Sequence, residues 1–170
     1  TRLASVYGGG GIEVYSWDQT TGMVTGLIRS TTVSPSAYGC EFSPDGNILY
    51  YTSLSGNRLY QLDIASGTVY TNTSWVSANN IAEMGTLQLG PDDKIYVTNV
   101  SNVGIPCYLG VVNQPNLAGA ACNYVPTGFL VNSGPSVYPN VGRGISNIAW
   151  INPNRPTIIH SGCTSVTFNY

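Results

Sequence analysis

The residues able to do chemistry are few, and their spacing forms no recognisable catalytic pattern. His160 is the only imidazole in the chain. It sits in a stretch of mixed polarity, where an edge or surface histidine is the simpler reading. A Ser-His-Asp triad would have to recruit it, and no Gly-x-Ser-x-Gly elbow occurs. The carboxylates are Glu13, Asp18, Glu41, Asp45, Asp63, Glu83, Asp92 and Asp93. No Asp-x-Asp-x-Asp-Gly run offers the alternating oxygen ligands of a calcium loop. Lys94 beside Asp92 and Asp93 argues against a weak cation site there, so neither metal nor cofactor is expected. Glu41, Glu83 and Asp93 are the one set that could share a channel and attack a glycosidic bond, given a suitable carboxylate separation. Gly8 to Gly11 lack both the Gly-Lys-Ser/Thr ending and the helical pattern of a phosphate loop, and read as a hairpin.

Composition excludes further classes. The chain has 170 residues, of which 42% are hydrophobic and only 8% charged, with a formal net charge of −2. That charge content is about a third of the roughly 25% usual in soluble domains, and Ser, Thr and Asn supply the missing polarity. Arg2, Arg29, Arg58, Lys94, Arg143 and Arg155 are scattered singly, so no basic stripe is available for a row of phosphates and nucleic-acid binding is not expected. No apolar run approaches the ~20 residues that span a bilayer. The chain opens on Thr1-Arg2-Leu3 without a signal-like segment, as processing or loss of an upstream region would leave it.

The elements that must position these residues are strands. Segments 48–52, 58–64 and 94–98 are short, rich in β-branched and aromatic residues, and bounded by Gly, Asn, Asp or Pro. No run of a dozen residues has helical periodicity, although Ala78 to Met84 could form one helical turn. Tyr15-Ser-Trp-Asp18 through Gly22 and Val24 matches Tyr60-Gln-Leu-Asp63 through Gly67 and Val69, an offset of 60 − 15 = 45. Phe42-Ser-Pro44-Asp45-Gly46 through Tyr50 matches Leu89-Gly-Pro91-Asp92-Asp93 through Tyr96, an offset of 96 − 50 = 46 at the tyrosine. Asp18, Gly22, Pro44, Asp45, Gly46, Asp63, Gly67, Pro91 and Asp92 are therefore expected as structural turn residues. A unit of four short strands repeating every ~40 to 50 residues is the signature of a β-propeller blade.

The expected fold is all-β: a partial β-propeller over 1–151, with blades over about 1–36, 38–80 and 84–132 and one strand of a further blade at 144–151. Three units and a strand do not close a ring, so the chain reads as an excerpt of a larger propeller. A β-sandwich with similar hairpins is the plainer alternative.

The repeats carry a resemblance. Ser43-Pro-Asp-Gly, then Leu49-Tyr50, then Leu59-Tyr60-Gln-Leu-Asp63 through Gly67, resembles the YVTN type of surface-layer propeller repeat, and Tyr96-Val97-Thr98-Asn99 spells the name. Leu87 through Tyr96, then Val112-Asn113-Gln-Pro115-Asn116 and Gly119-Ala-Ala-Cys122-Asn123-Tyr124, is similar to the propellers of gliding-motility-associated and adhesin-like proteins exported by type IX secretion. The pattern departs from that family after Arg143. The resemblance implies a secreted or cell-surface setting. It also implies that 152–170 is a linker and the start of an immunoglobulin-like or PKD-like domain.

Cys40, Cys107, Cys122 and Cys163 contain no Cys-x-x-Cys pair, which removes zinc and thioredoxin chemistry. In an exported protein an even count suggests disulfides. Cys107 and Cys122 fall in what read as neighbouring strands and are the expected pair, leaving Cys40 and Cys163 free or paired outside the chain. Recognition is expected to rest on aromatics, among them Tyr7, Tyr15, Trp17, Tyr38, Trp75, Tyr108, Tyr138 and Trp150. The long loop 131–143 presents Tyr138, Asn140 and Arg143 as binding candidates.

The expected function is a non-enzymatic recognition, adhesion or spacer module. Its partners are the rest of a larger chain or a protein covering the open blades, with a surface glycan or the secretion machinery as further candidates. The alternative is a carbohydrate-active hydrolase or lyase using the channel carboxylates.

Overall fold

A computed structural model describes residues 1–7, 9–53, 57–76, 84–99, 107–132, 157–160 and 166–169. The chain is all-β, and within each sheet strands adjacent in sequence pair antiparallel. The first sheet holds β1 (Arg2–Tyr7), β2 (Gly11–Asp18) and β3 (Met23–Thr32). The middle sheet holds β4 (Cys40–Phe42), β5 (Ile48–Ser53), β6 (Arg58–Asp63) and β7 (Val69–Val76). The third holds β8 (Met84–Leu89), β9 (Ile95–Asn99), β10 (Cys107–Val112) and β11 (Tyr124–Asn132). A separate hairpin joins β12 (Thr157–His160) to β13 (Val166–Asn169). Among the described residues no helix is long and apolar enough to cross a membrane.

Turn chemistry fixes where strands stop. Gly46 donates its N–H to the Ser43 carbonyl at 2.8 Å, and Asp93 donates to Gly90 at 3.2 Å, so the two Pro-Asp segments make equivalent tight turns. Gly22 donates to Asp18 at 2.9 Å and Gly67 to Asp63 at 2.8 Å, closing the other repeated pair. Gly46 has φ 73°, a conformation that costs an ordinary side chain about 1–2 kcal/mol. Its counterpart Asp93 holds φ 59°, which Asp tolerates through local hydrogen bonding. Gly46→Val is therefore expected to lose about 1–2 kcal/mol and Gly46→Asp distinctly less, read as urea midpoints. Equal losses would contradict this account of the turn.

Alternation along the strands decides packing. Ile12 and Val14 of the first sheet meet Leu49, Tyr51, Tyr60, Leu62 and Ile64 of the middle sheet in one buried cluster. Ile48, Tyr50, Leu59 and Trp75, on the opposite face of the middle sheet, meet Met84, Leu87, Ile95, Val97, Val112 and Tyr124 of the third in another. All six residues of β5 are buried, so the middle sheet is covered on both faces. Each leucine of this strand pair is worth about 1.5–3 kcal/mol of burial. The inner strands β4 and β8 approach closely, as do β5 and β8, and β7 meets β11.

Several expectations change here. Met84 opens a strand rather than ending a helical turn, and a 3₁₀ turn, Gly119–Cys122, precedes β11. Trp75, at 3% exposure, is a core residue and not a recognition aromatic. The expected Cys107–Cys122 disulfide is corrected: Cys122 is a free, buried thiol. Register gives the reason, since Cys107 pairs with Asn132 while Val112 pairs with Tyr124 next to Cys122. Cys107 opens the six-residue β10 while Cys122 sits in the turn beside that strand's far end, a separation of roughly 17 Å at about 3.3 Å per residue, against the ~7 Å ceiling for a bridge. The strand expected at 144–151 lies outside the described residues.

Candidate functional site

The repeated turns sit where sheets meet. Asp45 accepts from the Ser43 hydroxyl at 2.7 Å and the Asn47 N–H at 3.0 Å, and Arg2 of the first sheet donates to the Gly46 carbonyl beside it. Burial raises the Asp45 pKa, but the Ser43 and Asn47 hydrogen bonds outweigh it and hold the carboxyl below its ordinary value. Arg29, also from the first sheet, donates to the Ile64 carbonyl at 3.0 Å and to that of Ala65, gripping the turn after Asp63. Asp63 accepts from the Ser66 N–H at 2.8 Å, which holds it low in the same way. Asp18 is held low by the Thr20 N–H at 2.8 Å and the Thr21 hydroxyl at 2.9 Å. These aspartates shape turns.

Between the middle and third sheets lies a buried polar clamp. The Tyr50 hydroxyl donates to the Pro115 carbonyl at 2.9 Å. Gln61, fully buried, donates through Nε2 to the Tyr50 hydroxyl at 2.7 Å and the Leu117 carbonyl at 3.2 Å, and accepts the Gly119 N–H at 2.7 Å. Asn116 accepts the Asp45 N–H at 3.1 Å, so the turn after β10 is tied to the middle sheet at several points. Thr52 adds a bond to the Gly85 carbonyl at 2.6 Å.

Glu41 joins the same boundary. One carboxylate oxygen accepts from the Phe42 N–H at 3.0 Å and the other from Leu89 at 3.1 Å. Burial pushes its carboxyl above the ordinary value, with those two hydrogen bonds opposing. The native state thus holds this proton more tightly than the unfolded chain, so Glu41 lowers stability as pH rises through and above the usual glutamate range. Relative to Glu41→Gln, the parent should lose stability as pH rises above the usual glutamate range of about 4, followed by urea midpoints. A constant difference would contradict the assignment.

Two open grooves flank these boundaries. One, of about 440 Å³, is lined by Arg2, Phe42, Pro44, Asp45 and Gly46 among others. The second, of about 370 Å³, is lined by Pro91, Asp92, Tyr96, Leu109 and Phe129, on the face of the third sheet turned away from the middle one. There the Tyr96 hydroxyl donates to Asp92 at 3.0 Å, and Lys94 pairs with the same carboxylate at 3.4 Å. The Phe129 ring stands edge-on to Tyr96, centroids 6.3 Å apart. Phe129, Leu109 and Gln61 were not singled out by the sequence as site residues. Their signal, the side of the sheet each faces, depends on register.

Of the expected binding residues, Tyr138, Asn140 and Arg143 lie outside the described residues, as does Glu83. Glu41 is engaged by backbone, and Asp93 occupies an exposed turn. Among the described residues no group of three or more His, Cys, Asp or Glu is placed to hold a metal. Cys40 and Cys122 are thiols that burial pushes up to about 11, unsuited to nucleophilic work at neutral pH. No protein-family model matches the chain, and no curated protein matches it.

Proposed function

We propose that the chain is a non-enzymatic β-propeller segment of a larger secreted or cell-surface protein, acting as a recognition, adhesion or spacer module. The observation that carries the reading is the middle sheet, buried on both faces between two sheets of the same antiparallel order. A two-layer sandwich would leave one face of each sheet to solvent, whereas radially repeated sheets cover both faces of each inner one. The end sheets then expose apolar side chains that a neighbour would cover: Leu3 and Tyr7 on β1, and Phe129 on β11. In this reading the partners are further units of the same protein or a protein that takes their place, and type IX secretion is the export route the repeat resemblance suggests.

The carboxylates support the non-enzymatic side, because both oxygens of Glu41 are taken by backbone donors. The purified chain is expected to turn over none of a panel of glycosides and lactones. Turnover that disappears in Glu41→Gln would overturn the reading in favour of a carbohydrate-active enzyme.

A further inference from the structure

We propose that the groove of Pro91, Asp92, Tyr96, Leu109 and Phe129 is a docking site for a proline-containing turn of a neighbouring polypeptide unit, of the kind this chain supplies at 113–118. The inference rests on the serial-sheet reading above and names what the outer face of the third sheet takes.

Register makes Tyr96 the counterpart of Tyr50. Tyr50 pairs with Glu41 on β4 and Gln61 on β6, and Tyr96 pairs with Gln88 on β8 and Val111 on β10. Leu49 and Tyr51 face back toward the first sheet, and Ile95 and Val97 face back toward the middle one. Alternation then turns Tyr50 and Tyr96 forward. Each follows a Pro-Asp turn of the same hydrogen-bonding pattern.

The Tyr50 position is occupied. Pro115 is buried over it with its carbonyl on the tyrosine hydroxyl, and Asn116 receives the Asp45 N–H. The Tyr96 position continues that interface but, among the described residues, has no such cover. The Tyr96 hydroxyl folds back to Asp92, and Phe129 is left 52% exposed. A Cβ on Gly90 would lie 2.5 Å from the Tyr96 ring, so glycine is what lets that ring floor the groove. Aromatic walls suit a pyrrolidine ring, and the phenol suits the carbonyl beside it. Val111 stands where Gln61 stands in the middle sheet, so the amide clamp is replaced by an apolar wall. Selection therefore falls on the proline.

The test titrates isotope-labelled full chain with a synthetic peptide of the sequence Val-Asn-Gln-Pro-Asn-Leu-Ala and with its Pro-to-Ala analogue. Ordering a free peptide is costly, so a dissociation constant on the order of 1 mM is expected, with the analogue at least about fivefold weaker. Saturable shifts should centre on Tyr96, Leu109 and Phe129 and vanish in Phe129→Ser, whose remaining spectrum reports its folding. No saturation, equal response to both peptides, or shifts centred elsewhere would overturn the proposal. A nuclear Overhauser contact between Tyr50 and Pro115 in the same sample keeps these failures distinct. If it is present, the serial-sheet reading survives a failed docking; if it is missing, that reading fails too.

Discussion

Gln61→Leu is expected to lower stability by about 2–4 kcal/mol, because it removes three hydrogen bonds from a fully buried site and leaves the Gly119 N–H without its acceptor. In a domain of this size that is a fall in melting temperature of roughly 4–16 °C. Leucine fills much of the glutamine's volume, so cavity formation contributes little and the loss reports the polar clamp. Tyr50→Phe should cost less, about 1–2 kcal/mol, since it removes one hydroxyl shared between Gln61 and Pro115. The double variant should fall short of the sum by about 1 kcal/mol, as residues of one network do. Strict additivity would mean that the two side chains act separately and that no clamp joins the sheets.

Gly39→Val probes the same boundary through sterics, with an expected loss of about 3 kcal/mol. A Cβ at Gly39 would lie 2.9 Å from the Thr86 Cα and 3.1 Å from the Gly85 carbonyl oxygen, both backbone atoms with no rotamer to move. The contact is reinforced by Thr52, which accepts the Gly39 N–H at 3.3 Å, donates to Gly85 at 2.6 Å, and gives its own N–H to Gly39 at 3.0 Å. Gly39→Ala should cost about 1 kcal/mol, and the ordering Gly, Ala, Val should hold in thermal and urea unfolding. Neutrality of the valine variant would show that β4 and β8 do not abut.

The turns and strands were legible in the sequence because their signals are local. Pro44, Gly46 and Gly67 need only their own backbone angles, and Ile48 to Ser53 announces a strand by composition alone. What joins one sheet to the next was not legible. Arg2 and Arg29 look like isolated surface cations until the fold brings them to the Gly46, Ile64 and Ala65 carbonyls. Gln61 reads as the polar member of an alternating strand and becomes a buried amide only because the 113–119 turn descends on it. The Cys107–Cys122 expectation failed on register: adjacent strands were inferred, but which ends of them meet was not. Tyr50 and Tyr96 are the same residue in the same repeat. The 113–119 turn lies over Tyr50, while among the described residues no such turn lies over Tyr96, and composition does not reveal that.

The middle sheet is enclosed on both faces by two different sheets, and methyl and aromatic Overhauser contacts in the full chain measure that enclosure. Contacts are expected from Tyr51 and Leu62 to Ile12 and Val14, and from Tyr50 and Leu59 to Leu87 and Val97, with no exchange between the two sets. Contacts from both faces of β5 to a single sheet, or one face with none while its protons exchange freely with solvent, would contradict it.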